Sequence, residues 1–357
     1  MTGDTGQGAT DRLRRMSPAR LLAGAAAAVI VGSVLLGVVG PRAGAGPGGL
    51  VAPVAAVGSS SPDASVDGSA VPPPGSPGDG PAQVTDSSPA VAAAAATVPH
   101  FKHIYVIVME NRESGSIIGN STAPYINSLV ARYGLATNYR AVAHPSEPNY
   151  LALFSGSTQG VTDDGVHDLA RQNLASQLEA AGKTWRVFAQ NVPPGCFKGA
   201  VAQNGRDGAG SYARKHEPAV SFKSVYGRPA SCRKIQDFTA FAPSAADFEL
   251  IVPNLCNDMH DCSTATGDAF LKTFIPRLLR SPSMKGSVLF LTWDEGTSKL
   301  GGGGKVATVV IGPTVKRGFR SAIPHSHYSL VRTVEAAWGL PCINRACFAN
   351  TLREFFR

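Results

Sequence analysis

His144-Pro145-Ser146-Glu147-Pro148-Asn149-Tyr150 is the stretch on which the reading of this chain turns. A strand-like run, Ala136 to Val142, precedes it, and a helical one, Pro148 to Phe154, follows. A serine between strand and helix sits where free backbone N–H groups and the positive helix end converge. That environment receives an anion such as a phosphate group. Pro145 and Pro148 stiffen the approach, because each fixes its own φ and restrains the residue before it. Ser146 reads either as a nucleophile or as a helix N-cap, and on this stretch alone the cap is the commoner case.

Working outward, Lys102 to Met109 (KHIYVIVM) is a β-branched and aromatic run that reads as a buried strand, followed at once by Glu110-Asn111-Arg112. Ser287 to Thr292 (SVLFLT) is a second apolar strand, ending in Trp293-Asp294-Glu295-Gly296. Adjacent carboxylates at the end of a buried strand repel unless something positive lies between them, and a divalent cation is the simplest answer. Polar residues at the carboxyl ends of central strands are where open α/β sheets place their ligands. Further strands are expected at Thr184–Ala189, Asp247–Val252 and Val306–Ile311. Helices are expected at Ala123–Tyr133 (cap Thr122, stop Gly134), Gln172–Ala181, Thr264–Arg280 and Leu330–Trp338 (cap Ser329, stop Gly339). This alternation predicts an α/β fold with a central, mostly parallel sheet flanked by helices.

Between these elements lie the remaining candidates. Asn257-Asp258-Met259-His260-Asp261 is bracketed by Cys256 and Cys262, which makes His260 a candidate phosphate ligand or general acid. Thr162 to Asp168 is an acidic turn with one histidine, read as a metal site, a pocket mouth or an ordinary turn. His327, just before a helix, is a further site candidate, and His325 a weaker one. Residues 191–246 form a long irregular segment, a length that is usually functional or pinned. Gly301 to Gly304 is expected to be a flexible loop; it lacks the Lys-Ser/Thr ending of a P-loop.

All six cysteines follow residue 190. An even number in an exported chain predicts three disulfides; of the 15 pairings six cysteines permit, proximity suggests Cys196–Cys232, Cys256–Cys262 and Cys342–Cys347. Their spacing does not match a zinc knuckle. The formal charge of +8 includes the N-terminal arginines and is otherwise spread out, which gives no support to nucleic-acid binding. Arg12, Arg14, Arg15 and Arg20 precede an apolar run, Leu21 to Gly40. Residues 1–45 thus read as a cleaved signal peptide or a retained membrane anchor, either of which places the rest outside the cytoplasm; the membrane is met only through this segment, and only if it is uncleaved. Residues 46–98, rich in Pro, Gly, Ser and Ala, read as a disordered linker. Residues 99–357 remain as one catalytic-sized domain.

Glu110-Asn111, Ser146 in HPSEPNY, Asn257-Asp258-Met259-His260, Asp294-Glu295 in TWDEG and His327-Tyr328-Ser329 occur in that order. Together they resemble the bacterial phosphoesterase family of secreted acid phosphatases and phospholipases C, within the alkaline-phosphatase-like superfamily. The resemblance covers roughly residues 100–357. It implies a divalent metal held by Glu110, Asn111, Ser146, Asp294 and Glu295, with Ser146 as nucleophile and His260 contacting phosphate and protonating the leaving group. His144, Asn149, Asn257 and His327 are assigned to substrate contact. A phosphate ester is the expected substrate, with an acid-phosphatase-like activity as first reading. A phospholipase C-type phosphodiesterase and a catalytically silent surface-binding protein are the alternatives. An acyl-ester hydrolase is disfavoured, since no Gly-x-Ser-x-Gly elbow surrounds Ser146.

Overall fold

A computed structural model describes residues 97–203 and 210–357. The leader expected over 1–45, and all but the end of the linker expected over 46–98, lie outside the described residues. The strands are β1 (Ile104–Met109), β2 (Gly134–Ala136), β3 (Tyr139–Arg140), β4 (Trp185–Ala189), β5 (Val201–Ala202), β6 (Tyr212–Ala213), β7 (Ile235–Gln236), β8 (Phe248–Val252), β9 (Val288–Trp293), β10 (Thr308–Ile311), β11 (Arg320–Ser321) and β12 (His325–Ser326). The helices are α1 (Pro124–Arg132), α2 (Ser146–Ser155), α3 (Leu174–Ala180), α4 (Lys223–Tyr226), α5 (Pro229–Cys232), α6 (Thr264–Leu279) and α7 (His327–Trp338).

Eight strands form one sheet in the order β11-β2-β10-β9-β1-β8-β4-β7. β1 lies parallel to both β9 and β8, and β4 lies parallel to β8 and β7, while β10 runs against both its neighbours. The expected mostly parallel sheet is therefore present. Every residue of β1, β8 and β9 is buried. Strands covered on both faces read as continuous apolar runs, which is why these were legible in sequence. Each fully buried Val, Leu, Ile or Phe in them contributes about 1.5–3 kcal/mol.

Four local expectations are corrected. The single strand expected over Ala136–Val142 is broken: β2 stays in the main sheet beside β10, whereas β3 leaves it to pair with β12. Thr122 does not cap α1; Ala123 stands at that position without a side-chain cap, and the carboxylate of Asp268 on α6 accepts from Tyr125 and Ile126 N–H instead. Helix α7 begins at His327 with Ser326 as its cap, and Ser329 is the reciprocal member of the capping box. The loop at Gly301–Gly304 is packed rather than free. Gly302 lies at φ +106°, and a Cβ there would stand 2.3 Å from the Val142 carbonyl oxygen, so only glycine fits. The disulfides Cys196–Cys232, Cys256–Cys262 and Cys342–Cys347 are all formed.

Candidate active site

The site is built where β1 and β9 end. The ladder continues one residue past each strand: Asp294 N–H donates to the Met109 carbonyl at 2.9 Å, and Glu110 N–H donates to that of Asp258 at 2.9 Å. Glu110, Asp258 and Asp294 are thereby drawn together, all fully buried. Ser146 faces them. It is the first residue of α2, and Pro145, not Ser146, stands at the cap position; the capping reading of this serine is therefore excluded. Its Oγ donates to Glu110 Oε2 at 3.3 Å, and the serine also bears on the Asp294 carboxylate, whose ionised form it favours. One turn along α2, on the same face, Tyr150 OH donates to Glu110 Oε1 at 2.5 Å.

The fourth wall comes from a residue that the sequence reading did not single out. His216 sits in a short 3-10 turn, Arg214–His216, inside the irregular 191–246 segment. It is 1% exposed and stacks on the Tyr150 ring with centroids 5.1 Å apart. Its Nε2 is 3.2 Å from Glu110 Oε1 and its Nδ1 is 3.5 Å from Asp258 Oδ2. Neither approach has hydrogen-bond alignment, and both ring nitrogens lack a hydrogen-bond partner. The available signal was the run Arg214-Lys215-His216-Glu217, four ionisable residues in succession within a segment otherwise poor in pattern.

Burial decides the electrostatics. Glu110 is pushed well above the ordinary carboxylate range by burial and then by the charges of Asp294 and Asp258. Asp258 is raised for the same first reason, against a bond from His260 N–H. Asp294 is pushed up to about 7 by burial and by Glu295. Burial drives His216 the other way, well below the usual histidine range, helped by Lys215 and His260, so its ring is neutral. Asp294 Oδ2 and Asp258 Oδ2 have no hydrogen-bond partner. Buried carboxylates with unpartnered oxygens beside a neutral imidazole are costly in a metal-free protein and are the donor set of a divalent cation. Donor atoms of Glu110, His216 and His260 lie within 4.8 Å of one another. The residues present therefore fit a metal.

The other expected site residues take varied places. Asn111 is held at φ +51°, its N–H donating to Asp294 Oδ1 at 3.1 Å. Its side chain makes no hydrogen bond among the described residues. Glu295 Oε2 meets His144 Nδ1 at 2.8 Å and Asn149 Nδ2 at 3.3 Å. Burial, with Asp164 adding to it, pushes Glu295 up to about 7. The other His144 nitrogen, Nε2, contacts the Ser298 carbonyl, and the His144–Pro145 peptide is cis. Asn149 is buried and holds the loop before Ser146 by accepting from Val142 and Ala143 N–H. Asn257 bonds to Gln190. His260 is partly exposed, with Nδ1 2.7 Å from Asp261. His327 stands behind the site. One of its nitrogens is 2.5 Å from the Asp294 carbonyl and the other 3.2 Å from Tyr139 OH. It braces Asp294 rather than facing a ligand. His325 pairs with Glu354.

The acidic turn shapes the entrance. Asp164 accepts from Glu147 N–H at 2.9 Å and pairs with Lys215 at 2.9 Å. One of the helix N–H groups expected to await an anion is thus already taken. Lys215 is raised by Asp164 in spite of burial, and it also feels Glu110 and Asp294.

Fold and site together define an α/β enzyme with a serine–carboxylate centre. The chain belongs to the Phosphoesterase family, which matches residues 120–341. It is 39% identical over 278 residues to a phosphatidylinositol-3-phosphatase of Mycobacterium tuberculosis, covering 75% of this chain and 87% of that protein. It is 33% identical over 231 residues to an acid phosphatase of Aspergillus fumigatus, covering 61% of this chain but only 51% of the fungal enzyme. Among solved structures, a 2-O GAG sulfatase superposes with a TM-score of 0.50 at 10% identity, covering 72% of this chain and 74% of its own, a likeness of fold alone. The protein is accordingly a hydrolase acting on phosphoric ester bonds.

Proposed function

We propose that this protein is an exported, metal-dependent, acid-phosphatase-like phosphomonoesterase that works through a phosphoserine. The observation that carries the reading is Ser146, buried at the first turn of α2 with its Oγ 3.3 Å from the buried Glu110 carboxylate. Glu110, Asn111, Asp258, Asp294 and His216 offer the atoms that would hold a divalent cation, which supplies charge neutralisation and a lowered hydroxyl pKa when bound. Ser146 Oγ attacks phosphorus in line with the ester oxygen, and Glu110 accepts the hydroxyl proton. The P–O bond to the alcohol breaks as His260 gives that alcohol its proton. Water then attacks the phosphoserine phosphorus with His260 taking its proton; the P–Oγ bond breaks, Ser146 Oγ recovers its proton from Glu110, and phosphate leaves. Buried Tyr150 holds Glu110 in place, and stacked His216 closes the chamber beside it.

Export is supported by the basic and apolar leader in the sequence and by three formed disulfides, which persist in oxidising compartments. The test is acid-quenched turnover of a radiolabelled phosphomonoester by the whole protein, before and after chelation. Label on Ser146 that disappears in the chelated protein is the expected result. Turnover that survives chelation sinks the metal assignment. Label elsewhere, or undiminished turnover by Ser146→Ala, sinks the nucleophile.

A further inference from the structure

We propose that a second site, outside the catalytic centre, docks the protein on an anionic lipid surface. The small β3–β12 sheet borders a cleft of about 710 Å³. Tyr139 is buried and meets His327 behind Asp294, while Arg140, His325 and Ser326 line the cleft. That is the volume of a headgroup-sized ligand site. Arg140 and Arg345 line the cleft, both exposed, and neither guanidinium has an ion pair or hydrogen bond among the described residues. No carboxylate lines it. The hydroxyls of Tyr328 and Ser326 complete a polar floor. Two unpaired guanidiniums in one cleft recognise a phosphate-bearing anion.

The rim says where that anion resides. Five large apolar side chains are exposed among the described residues; one lines this cleft and two more adjoin its lining residues in the chain. Phe348 lines it at 92% exposure, and Leu300 and Ile323 are the chain neighbours of the lining residues Gly301 and Pro324. Phe348 is held outward by a rigid base. It follows Cys347 of the Cys342–Cys347 disulfide, Ile343 and Ala346 pack on Val331 of α7, and Asn344 bonds to the Ser155 carbonyl. A fixed, fully displayed phenylalanine beside two free arginines is the composition of an interfacial lipid contact: apolar groups enter the acyl boundary and cations meet the phosphates. A soluble phosphate ester would use the arginines but leave the apolar rim in water.

The experiment uses the full chain carrying Phe348→Trp. Its fluorescence is compared with that of the parent protein on vesicles of brominated phosphatidylcholine, with and without phosphatidylglycerol. Trp185 and Trp293 are buried and the partly exposed Trp338 is common to both proteins, so the signal added over the parent reports position 348. Quenching on anionic vesicles only, with apparent affinity lowered about fivefold by each of Arg140→Gln and Arg345→Gln, is expected. Turnover of a soluble monoester should be unchanged in these variants. No added quenching, or quenching indifferent to both arginines, overturns the proposal. So does inorganic phosphate or a soluble phosphate ester protecting Arg140 and Arg345 from guanidinium-directed modification where vesicles do not.

Discussion

Two regions supply the candidate centre by different means. The strand ends deliver Glu110 and Asp294 directly after runs whose every residue is buried. The 191–246 segment delivers His216 and Lys215 from short turns with little repeating pattern. In the first region the sheet ladder itself aims the acids. In the second the aim comes from tertiary ties: Arg214 N–H to the Ala200 carbonyl, the Arg214 guanidinium to that of His167, the Glu217 carboxylate capping Ala219 and Val220, and the Cys196–Cys232 bridge. Regular structure positions a side chain through many shared backbone bonds. An irregular segment needs a dedicated bond for nearly every residue it fixes.

The largest expected effect lies on the serine that faces both regions. Ser146→Ala should lower kcat by roughly 10³-fold or more while thermal melting is unchanged; a normal kcat would remove it from the chemistry. Next comes the staple of the irregular region. Replacing Cys196 and Cys232 by Ser opens a link of sequence separation 36. The loop-closure model puts the loss at about 3–4 kcal/mol, against about 2 kcal/mol for the short Cys256–Cys262 loop. Urea melts of the two variants compare these directly, and equal losses would mean that the long segment is held by packing alone.

The sharpest test of equivalence is His216→Ala beside His260→Ala. If the irregular region is part of the centre, loss of His216 lowers kcat/KM by about 10²-fold and also lowers bound metal measured by elemental analysis. Full metal content and activity would reduce His216 to a core residue. The smallest effect concerns burial without a site. Glu249, buried in β8 and pushed up to about 7 by burial, bonds to Ala246 N–H with one oxygen and leaves the other unpartnered. Its native pKa lies above the unfolded value of about 4.3. The native state therefore binds the proton more tightly, and this stability, complete below about 4.3, is lost as pH rises through about 7. Glu249→Gln should flatten the fall in stability between pH 5 and 8 by on the order of 2 kcal/mol, read from urea midpoints; an unchanged slope would show that the carboxylate is solvated.

Much of this centre could be read in advance because its parts abut strong local signals. Glu110 and Asp294 follow unbroken apolar strands, and Ser146 lies between two prolines at the start of a helix. The disulfide partners are near neighbours in sequence wherever the intervening loop is short. What resisted reading lacked such a signal. In sequence Asp258 stands out only as a neighbour of His260, although it is Asp258 that is fully buried beside Glu110 and His260 that keeps partial exposure. Sequence alone assigns Asn149 to a substrate, whereas its amide ties up the loop before Ser146.

The sequence by itself determined the layered α/β arrangement, the strand-end acids and the place of the serine, because hydrophobic period and turn chemistry are written within a few residues of each. Tertiary structure alone decided that Ser146 is not a cap, that Asp164 takes a helix N–H, that His327 braces from behind and that His216 enters the chamber. Those outcomes depend on contacts such as that between Tyr150 and His216, 66 residues apart in number, and no local pattern encodes which distant side chain a fold will bring to a buried carboxylate.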